Sequence, residues 1–323
     1  MKSLSLHMFL ALFAIIVMAG VSITVGVADV SFQSVVNGQG DDTLILLASR
    51  VPRTLAIVLT GASMAIAGLI FQMLTRNKFV EPSTAGTAES AGLGLLVVVF
   101  FFPLAPLMVK MLIASGFAVA GTFLFLRILD RLPAHEPLLV PLVGLMLGGV
   151  IGALATFFAY QADLMQYLGI WTTGEFSGVL RGRYESLWIT GILAIVGYIF
   201  ADRFSIMGMG RDASITLGLN YRAVMWLGLM IVAVITALVI VTVGMIPFLG
   251  LIVPNIVSRM VGDNVRAAVP WAASLGAGLL LFCDILGRVI RAPYEIPIGT
   301  IFGVLGSAVF LVLLLGRQSH APR

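Results

Sequence analysis

Arg50 and Arg53 bracket Val51 and Pro52 just ahead of the apolar run TLAIVLTGASMAIAGLIFQML, which leads through Thr75 into the basic turn Arg76-Asn77-Lys78. A guanidinium is a planar fork of donors that matches a carboxylate. Charge is costly near lipid, so two such forks at the mouth of a membrane helix need a counterpart. Arginines can also anchor a helix end by snorkelling. Anchoring arginines favour the cytoplasmic side, however. The chemistry expected of this pair is therefore capture of acids on a docking protein.

Other chemistries are not written in the chain. Its lysines are Lys2, Lys78 and Lys110, and none completes a phosphate-binding loop. HExxH, CxxC and GxSxG are missing as well. His7, His135 and His320 are scattered near span ends, so no metal site is expected. Cys283 is the single cysteine and has no disulfide partner within the chain. No cofactor and no enzymatic activity are expected. Asp284 reads as the one acid buried within a span, and Arg288 stands four residues on, the spacing of a helical ion pair.

The elements holding these residues must live in lipid. Of 323 residues, 60% are hydrophobic and 11% charged, where a soluble domain carries about a quarter charged. Apolar stretches recur from end to end, so the chain reads as one all-α polytopic membrane domain, residues 1–323, rather than a barrel. About ten spans are expected, at 8–28, 51–73, 86–102, 107–128, 138–160, 186–201, 223–243, 247–260, 269–287 and 297–316. The first is too long for a signal-peptide core and reads as retained. The stretch 164–180 is too short and polar to cross. The eighth span is short and contains Pro254, so its neighbours must shield it.

With the N-terminus in the cytoplasm, twelve of the 19 lysines and arginines fall inside and seven outside. That bias predicts both termini in the cytoplasm. The outer seven are Arg50, Arg53, Lys110, Arg181, Arg183, Arg288 and Arg291, and topology does not explain them. The net charge of +4 comes without a basic cluster interleaved with aromatics, so nucleic acid is not a partner and membrane lipid is. Glycines such as Gly61, Gly68, Gly144, Gly148, Gly299, Gly303 and Gly306 are spaced for close helix packing.

The segment 201–222 is long for a connection between spans. It predicts a short amphipathic helix over 214–217, capped by Asp212, and a partner on that face. A transporter without its own ATP site or a chain of intramembrane acids draws energy from a docked ATPase or an ion gradient. The exposed segment favours the ATPase. A stand-alone secondary transporter is the other class.

Four ordered blocks then carry a resemblance. They are RVPRTLAIVLTGASMAIAGLIFQMLTRNKFVEPSTAGTAESAGLG, LGLNYRAV, GMIPFLGLIVPNIVSRMVGDNVRAAVP and CDILGRVIRAPYEIPIGTIFGVLGSAVFLVLLL. Together they resemble the FecCD permeases of bacterial ABC importers for ferric siderophores, haem and cobalamin. The chain departs from the family pattern at Asn255 and Asn264, where histidines are usual, at Lys78-Phe79-Val80, and at Ser307-Ala308. These variants lean towards the siderophore branch.

The resemblance implies a type II importer bundle in the bacterial inner membrane, working with a second permease subunit, identical or sister. It also implies two ATPase subunits and a periplasmic or lipid-anchored siderophore-binding protein. By the family pattern, Arg50, Arg53 and Arg288, with Arg291 beside them, meet acids of the binding protein. Arg211, Asp212, Leu217, Gly218, Leu219, Asn220, Tyr221 and Arg222 correspond to the coupling segment that meets the ATPase. Met146, Phe157, Gln161, Met165, Trp171, Thr172 and Thr173 fall where the family lines its pathway.

Overall fold

A computed structural model of the chain describes residues 2–26, 41–131 and 139–315, and all its regular elements are helical. His135, His320, Arg317 and Arg323 lie outside the described residues.

Each long apolar run becomes a helix, because lipid leaves every backbone polar group to be satisfied within its own segment. The first is α1 (Lys2–Thr24). A helical lead-in, Asp41–Ile45 and the π-turn Leu46–Arg50, runs straight into α2 (Val51–Thr75). Pro52 sits in its first turn, where its missing N–H costs nothing. Arg76 ends it in the left-handed conformation, φ 50°. Next come α3 (Thr87–Phe101), α4 (Leu107–Leu129), α5 (Leu139–Gln161) and the short α6 (Met165–Thr172). α7 (Leu187–Ile199) bends by 63° into α8 (Ala201–Gly208), followed by α9 (Arg211–Thr216). The chain continues as α10 (Tyr221–Val243), α11 (Leu249–Val261), α12 (Val265–Val289) and α13 (Ile298–Leu315).

Among the described residues, six helices are long and apolar enough to cross a membrane, and the bent α7–α8 pair makes up to seven. The remaining expected spans are the shorter apolar helices α3, α11 and α13. The expected short eighth span is α11, and Leu249 to Pro254 are all buried there.

α2 is the central post, buried along most of its length. It packs on α12 and α11 through bare backbone. A Cβ on Gly61 would stand 2.8 Å from the Cα of Ala277, and Gly68 faces the backbone of Gly250 just as closely. α12 begins one turn earlier than expected because Asn264 caps it, its side-chain oxygen accepting from Ala267 N–H at 3.3 Å. Asn220 caps α10 in the same way, accepting from Ala223 N–H at 3.2 Å.

Candidate functional site

The expected site residues fall in three places along the bundle axis. At one end α1, α2, α12 and the turn after α12 converge. The two nitrogens of Arg53 nearest Asp284 donate to its Oδ1 at 2.7 and 3.1 Å. The remaining nitrogen donates to both oxygens of Glu295 at 2.8 and 2.9 Å. Arg288 pairs with the other oxygen of Asp284 at helical spacing of four. It also donates to the Ser22 carbonyl at 2.8 Å, to the Ser22 hydroxyl at 2.7 Å and to the Val25 carbonyl at 2.6 Å. Arg50 donates to the carbonyls of Ile23 and Thr24 at 2.9 and 3.0 Å.

The Asp284–Arg288 pair expected from spacing is therefore present. Arg50 and Arg288 are buried and Arg53 is mostly so. These three find acids and helix-end carbonyls inside the chain. Arg291, beside Tyr294, is exposed. The backbone N–H of Arg181 donates to the Ala48 carbonyl at 2.9 Å, so the exposed Arg181–Arg183 turn shares this end.

At the opposite end Lys78 donates to Asp263 at 2.7 Å and to Ser258 at 2.9 Å. Its hydrogen bond, with that of Ser258, holds the Asp263 carboxyl below its usual range. A carboxyl with a depressed pKa stabilises the fold above its ordinary titration range and loses that contribution as pH falls through the lowered value. This exposed clamp is therefore expected to persist through neutral pH and to release only in acid. Asn255 donates to the carbonyls of Lys78 and Leu251, each at 2.7 Å, and buried Gln72 also reaches the Lys78 carbonyl at 3.1 Å.

The 201–222 segment forms α8 and α9 at this end. α9 spans Arg211–Thr216 and follows Gly210, whose φ is 112°. Asp212 therefore lies inside the first turn, where its charge suits the helix dipole, and does not cap the helix as expected. Arg211, Asp212, Leu217, Gly218, Asn220 and Arg222 are exposed, while Leu219 and Tyr221 are half-buried.

Between the two ends, α10 and α11 are separated by an irregular break at 244–248. Backbone hydrogen bonds clamp the α6 region to it. Met245 N–H donates to Trp171 at 2.9 Å, Glu175 N–H to Val243 at 2.8 Å, and Gly299 N–H to Gly174 at 2.9 Å. A Cβ at Gly244, φ 83°, would meet the Thr173 carbonyl at 2.6 Å. From the other side, the buried carboxyl of Glu81 accepts from Phe248 N–H at 2.7 Å and from Ser83, at the start of α11.

A cavity of about 190 Å³ lies beside the clamp, lined among others by Glu89, Gly152, Thr156, Trp171, Thr172 and Met245. It brings together Trp171 and Thr172 of the expected pathway set. Met146, Phe157, Gln161 and Met165 are instead exposed on α5, its C-terminal end and α6. Thr173 is half-buried at the clamp.

Glu81 and Glu89 were not foreseen; Asp284 is not the only acid inside the bundle. The signal available was an acid on each side of PSTAGTA, where an apolar chain would tolerate one only with a task.

Among the described residues no group of three or more His, Cys, Asp or Glu side chains could hold a metal ion. What the arrangement does offer is a bundle with a polar network at one end, a short helix pair with an exposed outer face packed at the other and broken helices between. Comparison with known proteins gives that shape a context. The petrobactin import system permease protein YclN of Bacillus subtilis is 48% identical over 95% of this chain and 97% of its own length. The ferric-anguibactin transport system permease protein FatD of Vibrio anguillarum is 39% identical over 84% and 87% respectively. A solved metal-chelate type ABC transporter in an inward-facing conformation shares the fold, with a TM-score of 0.81 at 21% identity over 96% of this chain and 98% of that one. The FecCD transport family matches residues 9–316, nearly everything described above, and this multi-pass membrane permease belongs to it.

Proposed function

We propose that this chain is the membrane-spanning subunit of an ATP-driven importer that carries a ferric siderophore across the bacterial inner membrane. The observation that carries the reading is the 48% identity to a petrobactin permease along almost the whole of both chains. Both termini face the cytoplasm, in keeping with the charge bias. A second permease subunit pairs with this one, with the exposed apolar face of α5 (Leu145, Met146, Val150, Phe157) turned to it or to lipid. Uptake of radiolabelled iron in a strain lacking this gene decides the cargo. Complementation should restore uptake of a ferric siderophore and leave cobalamin and haem uptake unchanged. Restoration of either of those alone would overturn the assignment.

A binding protein docks at the arginine end. Arg291 meets its acids directly. Arg53 already holds Glu295, a quarter of whose side chain is exposed, so an incoming carboxylate takes the place of Glu295 on the same fork. Arg50 and Arg288 hold the helix ends beneath. Charge reversal at Arg291 is expected to slow docking about tenfold at low salt and far less at high salt, as for a steering charge. Stopped-flow association with the purified binding protein reads this, and an unchanged rate would remove Arg291 from the docking face.

At the cytoplasmic end α8 and α9 meet two ATPase subunits, with Leu217 exposed for an apolar groove. Leu217→Glu is expected to weaken co-purification of the ATPase while membrane insertion is kept. ATP drives the cycle because it binds one state of the assembly better than the other.

A further inference from the structure

Glu89 belongs to no network described so far. It lies in the first turn of α3, and its Oε2 is fully covered yet has no hydrogen-bond partner. Among the described residues no lysine or arginine forms an ion pair with it. The side chain lies against bare backbone of α5, where a Cβ at Gly148 would come within 3.2 Å of Oε2. Glu89 is half-buried, and a carboxyl oxygen covered without a cation or donor is costly.

The cavity beside it has a definite polarity. The hydroxyl of Thr156 already donates to the Gly152 carbonyl at 2.8 Å. That of Thr172 donates to the carbonyls of Leu168 and Gly169 at 3.1 and 3.0 Å. Each hydroxyl has spent its one proton and keeps only lone pairs to offer. The carboxylate is likewise an acceptor. Trp171 adds an indole ring, the side chain best suited to hold a cation over its face. An ammonium is the complementary group, since it brings three donors, no acceptor and a positive charge. A carboxylate or phosphate would find one donor at most, the Trp171 indole N–H, against the Thr156 and Thr172 lone pairs and the Glu89 carboxyl. At about 190 Å³ the space fits an alkylammonium arm and not a whole chelate.

We propose that the Glu89–Trp171–Thr172 cavity is a recognition site for an alkylammonium group, by which the permease holds a protonated amine of its cargo beside the α10–α11 break. The link to cargo rests on the importer reading above. Binding of a free alkylammonium does not.

The probe is n-butylammonium, with 1-pentanol as its neutral counterpart, added to the full-length permease in lipid nanodiscs. Tryptophan emission is the readout, and Trp171→Phe assigns the signal. A saturable change with butylammonium, at least about tenfold weaker with pentanol and about tenfold weaker in Glu89→Gln, is expected for loss of one charge-assisted contact. Equal response to the two probes, or an unchanged affinity in a folded Glu89→Gln, would overturn the proposal. Should Glu89→Gln fail to fold, the preference of the unaltered permease for amine over alcohol still decides. A permease that transports a ferric siderophore yet shows no such preference refutes the cavity and leaves the importer reading standing. Ammonium binding without siderophore transport does the reverse.

Discussion

Asp284→Asn is expected to lower the stability of the permease by about 3–5 kcal/mol, the loss that follows when one partner of a buried ion pair is removed. The reason is its position between two cations. Its side chain is 1% exposed, that of Arg53 is 13% and that of Arg288 is 5%. Arg53 would retain Glu295, but Arg288 would keep only the Ser22 hydroxyl and two carbonyls of the α1 end. Two guanidinium groups would then face each other around an amide. Glu295→Gln serves as the contrast. Glu295 is a quarter exposed and Arg53 keeps Asp284, so about 1 kcal/mol or less is expected. Thermal unfolding in detergent compares the two. Equal midpoint shifts would mean that Asp284 is no keystone of that end.

Gly68→Ala is the second large effect. At this point α2 and α11 meet backbone to backbone, and a methyl group would enter the peptide of Gly250. No flexible side chain stands there to give way, so the helices must part. A loss of about 3 kcal/mol, the upper end for overpacking, is expected. Transport should fall with it, because α11 is the helix whose start Glu81 caps beside the break. Gly116→Ala is the control: a Cβ there meets nothing within 4 Å, and alanine favours a helix. Retention of folded protein after size exclusion should fall for the first and not for the second. A Gly68→Ala protein as stable as the parent would refute the close approach.

Much of this architecture was legible along the chain. Among the described residues, six of the ten expected spans follow from apolar length and the bent α7–α8 pair makes up to seven, while α3, α11 and α13 are shorter apolar helices. The Asp284–Arg288 pair follows from helical spacing alone. What escaped were contacts whose partners are remote. Arg53 is satisfied by Glu295, 242 residues away, and Arg50 by carbonyls at the end of α1, partners that nothing local to either arginine announces. The arginines that the charge bias left unexplained were the clue, because a buried guanidinium calls for acids or carbonyls from elsewhere. Glu81 and Glu89 were missed for a related reason. The segment from Arg76 to Gly86 folds against α11 and draws Glu81 into the bundle, while Glu89 falls within the expected third span, in the first turn of α3. The cap at Asp212 failed by a shift of local boundary, since Gly210 opens the helix before it.

Reconstitution tests the central claim most directly. The permease, its partner permease and the ATPase are placed in liposomes, with the binding protein and a radiolabelled ferric siderophore on the outside. Accumulation that requires both ATP inside and the binding protein outside, and that is indifferent to membrane potential, is the predicted result. Accumulation by the permease alone, driven by potential without the ATPase, would contradict the account.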